Sequence, residues 1–262
     1  MDKKMEILRI LLKIIMWVLI AGFACNFVMQ TVSYSFYKRA DKMTDITSVP
    51  QYIQMTDKLT GYGYNLEASS DKVILFFGGS NYIAYNSVGK YAHNFECPFL
   101  AVDYYGTQDS KGNMNLQTMK KSATELYDWA QEEYPQSEIV IMGHSYGAGM
   151  ATYLASVRKC KTLVLAAGYR DISDLYNKMI PIFRGPLKVF ISNNIKTSEY
   201  AKSVTSPVYI IGSKADRTLG ESLQEKLSDC FENSELKIFN DITHENYFIS
   251  EDVVKYINNV IQ

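Results

Sequence analysis

Six short, almost wholly apolar segments recur along this chain, and they limit its fold more than any other feature. The segments lack the alternation of apolar and polar residues that a half-exposed strand shows. Apolar runs of this length are typical of strands that are covered on both faces, as in a parallel sheet. The predicted strands are residues 72–77, 98–103, 138–142, 162–166, 207–211 and 235–239.

Amphipathic segments alternate with these strands. Between Leu116 and Glu133, for example, apolar residues recur every three or four positions, as on one face of a helix. The alternation of strands and helices predicts an α/β fold with helices on both faces of the sheet. Further helices are predicted at residues 148–158, 220–230 and 251–261.

Two stretches depart from the alternation. Residues 52–68 contain Gly61-Tyr-Gly63, which favours a leading antiparallel hairpin around these glycines. The connection at about 167–206 is too long for a simple crossover and is rich in large apolar residues. It predicts a small helical insertion over the ends of the strands.

The N-terminal segment predicts a single transmembrane helix. Ile14 to Tyr37 carry no charge, and about 20 residues of helix cross the hydrocarbon core of a bilayer. Cations before the segment outnumber those after it by four to three, which predicts an N-terminus inside and the bulk of the chain outside the cytoplasm. They are Lys3, Lys4, Arg9 and Lys13 before it, and Lys38, Arg39 and Lys42 after it.

The predicted domains are an anchor at residues 1–37 and a folded domain at residues 38–262, with the insertion at about 167–206. Two alternatives for the first segment stay open. Gly22-Phe23-Ala24 has the pattern of a signal-peptidase site, and Cys25 after it allows lipoprotein-type cleavage. The segment also fits a buried core helix. Each alternative places the first 37 residues outside the α/β domain.

Composition supports a folded domain and excludes some partners. The chain has 262 residues, of which 47% are hydrophobic, and this length allows a full core. A formal net charge of −1 argues against nucleic acid as a partner, because phosphate recognition needs clustered Lys and Arg. The four cysteines form no CxxC pair and lie at no metal-ligand spacing from a histidine, so we expect buried free thiols and no metal site.

The segment Gly143-His-Ser-Tyr-Gly147 follows a predicted strand and precedes a predicted helix. A G-x-S-x-G pattern in this setting is typical of a nucleophile elbow, in which a sharp, strained turn exposes the serine. Gly143 and Gly147 lack the Cβ atoms that would clash in the tight turn. The pattern predicts Ser145 as a nucleophile, with free N–H groups at the start of the helix aimed at developing negative charge.

A serine hydroxyl needs a base, and the chain has three histidines. The His144 ring, next to the serine, is expected to point elsewhere, and His93 is expected at the surface or in a structural role. His244 follows the last predicted strand and is the predicted base. Asp216, after the strand at 207–211, is the predicted acid, because the residues that act with a nucleophile elbow follow the chain order Ser, acid, His. All three side chains then emerge at one edge of the sheet.

Other acids fit the acid position less well. Asp229 lies in a predicted helix, Asp241 lies close to His244 in sequence, and Asp103 precedes Ser145, which is the wrong chain order. An oxyanion also needs two N–H donors. The predicted donors are the amides of Tyr146, next to the nucleophile, and of Ser80, in the Gly-Gly-Ser-Asn loop after the strand at 72–77.

Five segments resemble the α/β-hydrolase superfamily, and more narrowly its membrane-anchored members related to lysophospholipases and serine aminopeptidase-like hydrolases. The resemblance runs from Tyr52 to the C-terminus. It departs from the usual family pattern where Gly78 replaces a histidine, where Tyr105 replaces an arginine, and where His244 stands in Thr-His-Glu. The segments are ILFFGGSN (74–81), AVDYYG (101–106), IVIMGHSYGAGMATYLAS (139–156), SPVYIIGSKAD (206–216) and ITHENYF (242–248).

The resemblance implies an eight-stranded, mostly parallel sheet and a reaction without metal or organic cofactor. Together with the residues above, it predicts a serine hydrolase that cleaves a carboxyl ester through an acyl-enzyme. The membrane segment and the apolar insertion favour a lipid or acyl-chain substrate. The alternatives are a peptidase or amidase with the same three residues, a non-catalytic binding protein of the same fold, and a transferase that passes the acyl group to an alcohol.

Overall fold

The computed structural model describes residues 3–179, 181, 183, 185–191 and 195–262. Within them, eight strands form one sheet in the order β1-β2-β4-β3-β5-β6-β7-β8. The strands are β1 (Gln51–Gln54), β2 (Thr60–Tyr64), β3 (Lys72–Phe77), β4 (Phe99–Val102), β5 (Glu138–His144), β6 (Thr162–Ala166), β7 (Val208–Ser213) and β8 (Ser234–Phe239).

The sheet is parallel from β4 through β3 to β8, and β2 pairs antiparallel with both β1 and β4. Every residue of β4 and β6 is buried. Because successive side chains of a strand point to opposite faces, both faces of the central sheet are covered. The predicted α/β-hydrolase fold with a mostly parallel, eight-stranded sheet is confirmed, and the six predicted strands are present.

The leading hairpin exists, but its turn lies elsewhere than predicted. Gly61 and Gly63 are inside β2, where they pair with Val102 and Leu100 of β4. The turn instead falls between β1 and β2, where the Met55 amide donates to the Leu59 carbonyl. A side chain on either glycine would collide with atoms of neighbouring residues, so these glycines mark close packing and not a turn.

Four helices match the predicted ones, namely α3, α4, α7 and α8, while the insertion holds α5, α6 and two short 3-10 helices. The α-helices are α1 (Lys3–Arg39), α2 (Ala84–Tyr91), α3 (Leu116–Glu133), α4 (Tyr146–Val157), α5 (Ile172–Met179), α6 (Thr197–Tyr200), α7 (Glu221–Ser228) and α8 (Glu251–Val260). The 3-10 helices are Ala92–Asn94, Gly185–Phe190 and Ala201–Ser203.

Helix α1 is long and apolar enough to cross a membrane over Lys3–Val32, and 6% of its most apolar window is buried in the protein. A buried core helix is therefore the wrong interpretation. The last turns of α1 nevertheless pack on the α/β domain, where Tyr37 is 1% exposed. The predicted boundary at residue 37 stays a prediction, but Tyr37 is part of the core of the domain and not outside it.

The four cysteines are free, and Cys97 is buried while Cys25, Cys160 and Cys230 are half-buried. The expectation of buried thiols therefore holds for Cys97 alone. Among the described residues, no three His, Cys, Asp or Glu side chains are grouped so that they could hold a metal ion.

Helix α2 was not predicted, and a distant carboxylate explains why it forms. The residue before the helix, Ile83, makes no side-chain cap. Instead, the amide of Ala84 donates to Oδ1 of Asp103 at the end of β4, at 2.8 Å. A carboxylate stabilises a helix N-terminus because it satisfies an unpaired N–H and complements the helix dipole. The signal for α2 thus lies in another part of the chain.

Asp103 is also the source of a predicted pH dependence. Burial raises the pKa of this carboxyl to about 7, although the hydrogen bond from Ala84 opposes the rise. The folded protein therefore keeps a proton that the unfolded chain loses near its ordinary pKa of about 4. Because the folded state binds the extra proton, stability falls as the pH rises from about 4 to about 7.

We expect Asp103→Asn to remove this contribution, since its amide cannot ionise and its oxygen can still accept from Ala84. The melting temperature of the full chain in micelles, measured from pH 4 to pH 8 for both proteins, tests it. The melting temperature of the variant should rise relative to that of the wild type as the pH rises from about 4 to about 7. A constant difference in melting temperature across this range would contradict the assignment.

Candidate active site

The turn between β5 and α4 holds Ser145 in a strained backbone conformation. Its φ of 53° and ψ of −121° lie where residues with a side chain are rarely found. The turn is held by hydrogen bonds, since the Ser145 amide donates to the Ala166 carbonyl of β6 and the Ala148 amide donates to the Ser145 carbonyl. Such strain persists only where the surrounding structure enforces it, and it is common at functional sites.

The two predicted elbow glycines are needed for close packing. A Cβ on Gly147 would run into the carbonyl oxygens of Phe77 and Gly78, at the end of β3. A Cβ on Gly143 would lie 2.6 Å from Cα of Ala148, in the first turn of α4. The elbow can therefore fold against β3 and α4 only when both positions lack a side chain.

Ser145, His244 and Asp216 meet at the carboxyl ends of β5, β8 and β7. Nε2 of His244 lies 3.0 Å from Oγ of Ser145, and Nδ1 of the same ring lies 2.9 Å from Oδ2 of Asp216. The carboxylate can only accept, so Nδ1 carries a proton and Nε2 is free to accept one from the serine hydroxyl. The structure thus brings together the three side chains that the sequence indicated.

Asp216 is held in place as an ionised carboxylate. It is 3% exposed, and its Oδ1 accepts from the amides of Thr218 and Leu219 at 2.8 and 2.9 Å. Burial raises the pKa of this carboxyl, but the hydrogen bonds from His244 and from the two amides outweigh burial and keep the pKa below its usual value. The aspartate therefore stays charged at neutral pH and can stabilise a protonated His244.

Sequence reasoning missed Tyr247. Its hydroxyl donates to Oδ2 of Asp216 at 3.1 Å, so this oxygen accepts hydrogen bonds from both Tyr247 and His244. The ring is completely buried. The sequence carries one signal for this contact, a tyrosine three residues after His244, but nothing in that spacing shows that the side chain turns back towards Asp216.

His144 faces the His244 loop, and its role was also missed. Nε2 of His144 lies 2.8 Å from the backbone carbonyl of His244. A carbonyl can only accept, so the His144 ring must donate from Nε2. Burial, followed by the nearby His244 ring, lowers the pKa of His144 to about 3. His144 is therefore a neutral donor that ties the loop of His244 to the elbow.

The remaining candidates lie elsewhere. His93 is exposed, as expected, and Asp241 is exposed in the loop after β8. Asp229 is at the C-terminal end of α7. Asp103 holds the start of α2. None of these side chains has a hydrogen bond to His244 among the described residues, so Asp216 fits the position of the acid best.

The loop after β3 packs directly on the serine. A Cβ on Gly79 would lie 2.9 Å from Cβ of Ser145 and 3.3 Å from its Oγ. Ser80, the next residue, is exposed. Tyr146 is the first residue of α4, so its amide is one of the unpaired donors of a helix N-terminus. The close approach of Gly79 shows that this loop reaches the serine. The oxyanion roles of the Ser80 and Tyr146 amides stay predictions.

A cavity of about 290 Å³ opens beside this loop and reaches His144 and Glu245. Much of its wall is polar, and a lysine and two asparagines are among the residues that line it. These are Lys90, Asn81 and Asn86. The cavity is close to the lower end of the size range of small-molecule sites.

A tyrosine cluster lies behind the elbow. The ring of Tyr37, from α1, contacts those of Tyr104 and Tyr146 with centroids 5.9 and 5.8 Å apart. The hydroxyl of Tyr169, from the insertion, donates to the Tyr146 carbonyl at 3.0 Å. The N-terminal helix and the insertion thus both support the residue that follows the serine.

We expect the His144 ring to keep one protonation state and one tautomer from about pH 5 to about pH 8, because its pKa lies near 3. Long-range ¹H–¹⁵N correlation spectra of histidine-labelled protein test this, with His144→Gln to assign the signals. The spectra should show a protonated Nε2 and a bare Nδ1 throughout. A ring that titrates near neutral pH, or that carries its proton on Nδ1, would contradict this structure of the loop.

Comparisons with known proteins agree with the observed fold. A sequence model of the family described as alpha/beta hydrolase fold matches residues 76–190. Protein ABHD12B of Homo sapiens is 27% identical over 156 residues, which cover 52% of this chain and 43% of that protein. Lysophosphatidylserine lipase ABHD12 of Danio rerio is 26% identical over 147 residues, which cover 50% of this chain and 38% of that protein. The chain thus matches less than half the length of these curated relatives.

Solved structures share the architecture over most of the chain. Esterase Pf2001 of Pyrococcus furiosus has a TM-score of 0.63 at 17% identity and covers 85% of this chain and 94% of its own. Est1E of Butyrivibrio proteoclasticus has a TM-score of 0.61 at 15% identity and covers 82% and 99%. At these identities the likeness shows the fold. The resemblance predicted from the five sequence segments is confirmed, and the chain is a protein of the α/β-hydrolase fold.

Proposed function

We propose that this chain is a serine hydrolase that cleaves a carboxyl ester through an acyl-enzyme. The observation that supports the proposal best is the unbroken line of contacts from Ser145 through the His244 ring to Asp216. The strained φ of Ser145 adds support, because the turn presents the hydroxyl to this ring. The names of two relatives, an esterase and a lipase, agree with ester hydrolysis.

In the first half of the reaction, Oγ of Ser145 attacks the carbonyl carbon of the ester while Nε2 of His244 takes the hydroxyl proton. Asp216 stabilises the imidazolium that forms. The negative charge that develops on the carbonyl oxygen is placed between the amides of Ser80 and Tyr146. The tetrahedral intermediate then collapses, the bond to the alcohol oxygen breaks, and His244 returns its proton to the departing alcohol.

In the second half, water replaces the alcohol. His244 takes a proton from water as its oxygen attacks the acyl carbon, and the same two amides hold the second oxyanion. Collapse of this intermediate breaks the bond to Oγ of Ser145, which receives the proton from His244. The products are a carboxylic acid and the free enzyme, so atoms and charge balance.

A lipid or other acyl-chain ester is the proposed substrate class. Its support comes from the lipase relative and from a helix that can hold the domain at a membrane. We also propose that the polar cavity beside the Gly78–Ser80 loop receives the polar part of the substrate, because its wall carries Lys90, Asn81 and Asn86 together with the carboxyl groups of Asp41 and Glu245.

The proposed location is a single-pass membrane protein with its α/β domain outside the cytoplasm. The length and apolar character of α1 support the span. The four cations before Ile14, against three soon after Tyr37, support the orientation.

We expect a fluorophosphonate probe to label the wild-type protein and not Ser145→Ala. Hydrolysis of p-nitrophenyl butyrate should fall at least about 10³-fold in the variant, because the covalent intermediate cannot form. Ser80→Ala is the matched control, since it removes an exposed hydroxyl from the neighbouring loop and keeps the backbone amide.

Other outcomes would favour the other candidates. Labelling of neither protein would favour a non-catalytic binding protein. Faster turnover of aminoacyl amides than of esters would favour a peptidase or amidase. Formation of a new ester in the presence of an alcohol, in preference to free acid, would favour a transferase.

Tyr247→Phe should lower kcat about threefold to tenfold at neutral pH, because Asp216 loses one of the hydrogen bonds that fix the position of its carboxylate beside His244. Without this donor the carboxylate of Asp216 becomes more basic and favours the protonated ring of His244, so the acid limb of the kcat profile, which reports protonation of the base, should move to higher pH. Tyr256→Phe is the matched control, because it removes a tyrosine hydroxyl that donates to the carboxylate of Glu235 and not to Asp216. An unchanged profile in Tyr247→Phe would show that the hydroxyl does not act through Asp216.

A further inference from the structure

We infer that the tip of the insertion, Gly185–Ile191, enters the same bilayer as α1 and lies beside that helix in the hydrocarbon. The inference rests on the proposed membrane location of α1. It adds a second membrane contact, made by the α/β domain itself, whose partner is the acyl chains of the lipid.

The first observation is direct packing between the tip and the middle of α1. The Phe190 ring lies edge-on to the ring of Phe23 with centroids 5.3 Å apart. A Cβ on Gly22 would lie 2.5 Å from the Phe190 ring, so the tip reaches the helix backbone. Small residues allow this close approach between segments in a membrane.

The second observation is the position of this contact within the span. Ionised side chains are costly in hydrocarbon, so the membrane core lies between Lys13 and Lys38. At a rise of about 1.5 Å per residue, Gly22 lies about 13 Å from Lys13, and Phe23 lies about 22 Å from Lys38. A core of about 30 Å placed in this interval includes both residues. A segment packed on them must therefore also lie in the core.

The third observation is that one stripe of α1 is covered by the domain and the rest is open. Asn26, Met29 and Tyr37 are buried, and with Gly22 they recur at the spacing of one helix face. Phe27, between them, is 71% exposed. The domain thus packs along α1 from Gly22 to Tyr37, and not only against the C-terminal end of the helix.

The fourth observation is the character of the tip. Leu187 is 40% and Val189 is 68% exposed, a costly arrangement in water and a favourable one in lipid. The tip has one cation, Lys188, whose long side chain can carry its charge towards the head groups. Lys178, Lys226, Arg170 and Asp174 line the same cleft as Lys188, behind the tip. Cations outnumber the carboxylate among these side chains, so the cleft complements an anionic lipid surface.

The test places an environment-sensitive nitrobenzoxadiazole label on Val189→Cys in the full chain. Cys25, Cys160 and Cys230 are changed to Ser, and buried Cys97 is kept. Two matched labels are Val49→Cys, since Val49 is the same residue type and 78% exposed, and Phe27→Cys, which reports on α1. The protein is reconstituted in phosphatidylcholine–phosphatidylglycerol vesicles with and without spin-labelled acyl chains.

We expect the label at 189 to be blue-shifted and quenched by the spin-labelled chains, as the label at 27 is, while the label at 49 is neither. A label at 189 that behaves like that at 49, with the label at 27 quenched, would overturn the inference and leave the anchor intact. If the label at 27 also stays unquenched, the anchor fails and the inference fails with it.

A functional measurement separates this inference from the proposed chemistry. Val189→Glu should lower kcat/KM at least about tenfold for an ester embedded in vesicles and leave that for soluble p-nitrophenyl butyrate unchanged, whereas Val49→Glu should change neither. Equal activity of the two variants on the embedded ester would count against the membrane contact. Absence of soluble-ester activity in the wild type would instead overturn the proposed hydrolase, and the quenching result would stand on its own.

Discussion

The close packing of the elbow against the end of β3 is the constraint on which the candidate site depends. Gly147 lies against the carbonyls of Phe77 and Gly78, with no space for a side chain. This contact sets the start of α4 beside the loop after β3, so that Ser145 and Gly79 touch. The strained φ of Ser145 follows, because the chain must turn within one residue from β5 into α4.

The position of His244 depends on contacts with three separate elements. The His144 ring holds its backbone carbonyl, and Ser213 at the end of β7 accepts from the Ile242 amide at 3.0 Å. Asp216 orients the imidazole itself. A loop held at its backbone and at its side chain places the ring with little freedom, and such preorganisation is what general base catalysis requires. Tyr247, from the same loop, returns to Asp216 and closes the network.

Helix α1 links a candidate membrane span to the elbow. Tyr37 is near its C-terminal end and packs on the ring of Tyr146, while Gly22 lies farther towards the N-terminus and meets the insertion. A helix that contacts the domain at both places fixes the orientation of the domain relative to the candidate span. Helix α1 therefore also supports the candidate site, because the ring of Tyr146, the residue after the serine, packs on Tyr37 of this helix.

The sequence by itself determined the fold and the three central side chains. Unbroken apolar runs permit few structures other than a covered parallel sheet, and a G-x-S-x-G turn between strand and helix leaves Ser145 one structural role. With three histidines in the chain, the choice of His244 followed from its place after the last strand. These signals are either local motifs or the order of elements along the chain, and a single sequence shows both directly.

Only the tertiary structure decided the contacts between distant segments. The N-terminus of helix α2 is stabilised by a carboxylate at the end of β4. Gly61 and Gly63 lie in β2 as close-packing positions and not in a turn. Tyr37 is buried in the core, although its segment was expected to lie outside the domain. Tyr247 and His144 acquired their roles in the same way. Each of these depends on where a side chain points after the chain has folded, and side-chain direction across many residues of separation has no signature in a single sequence.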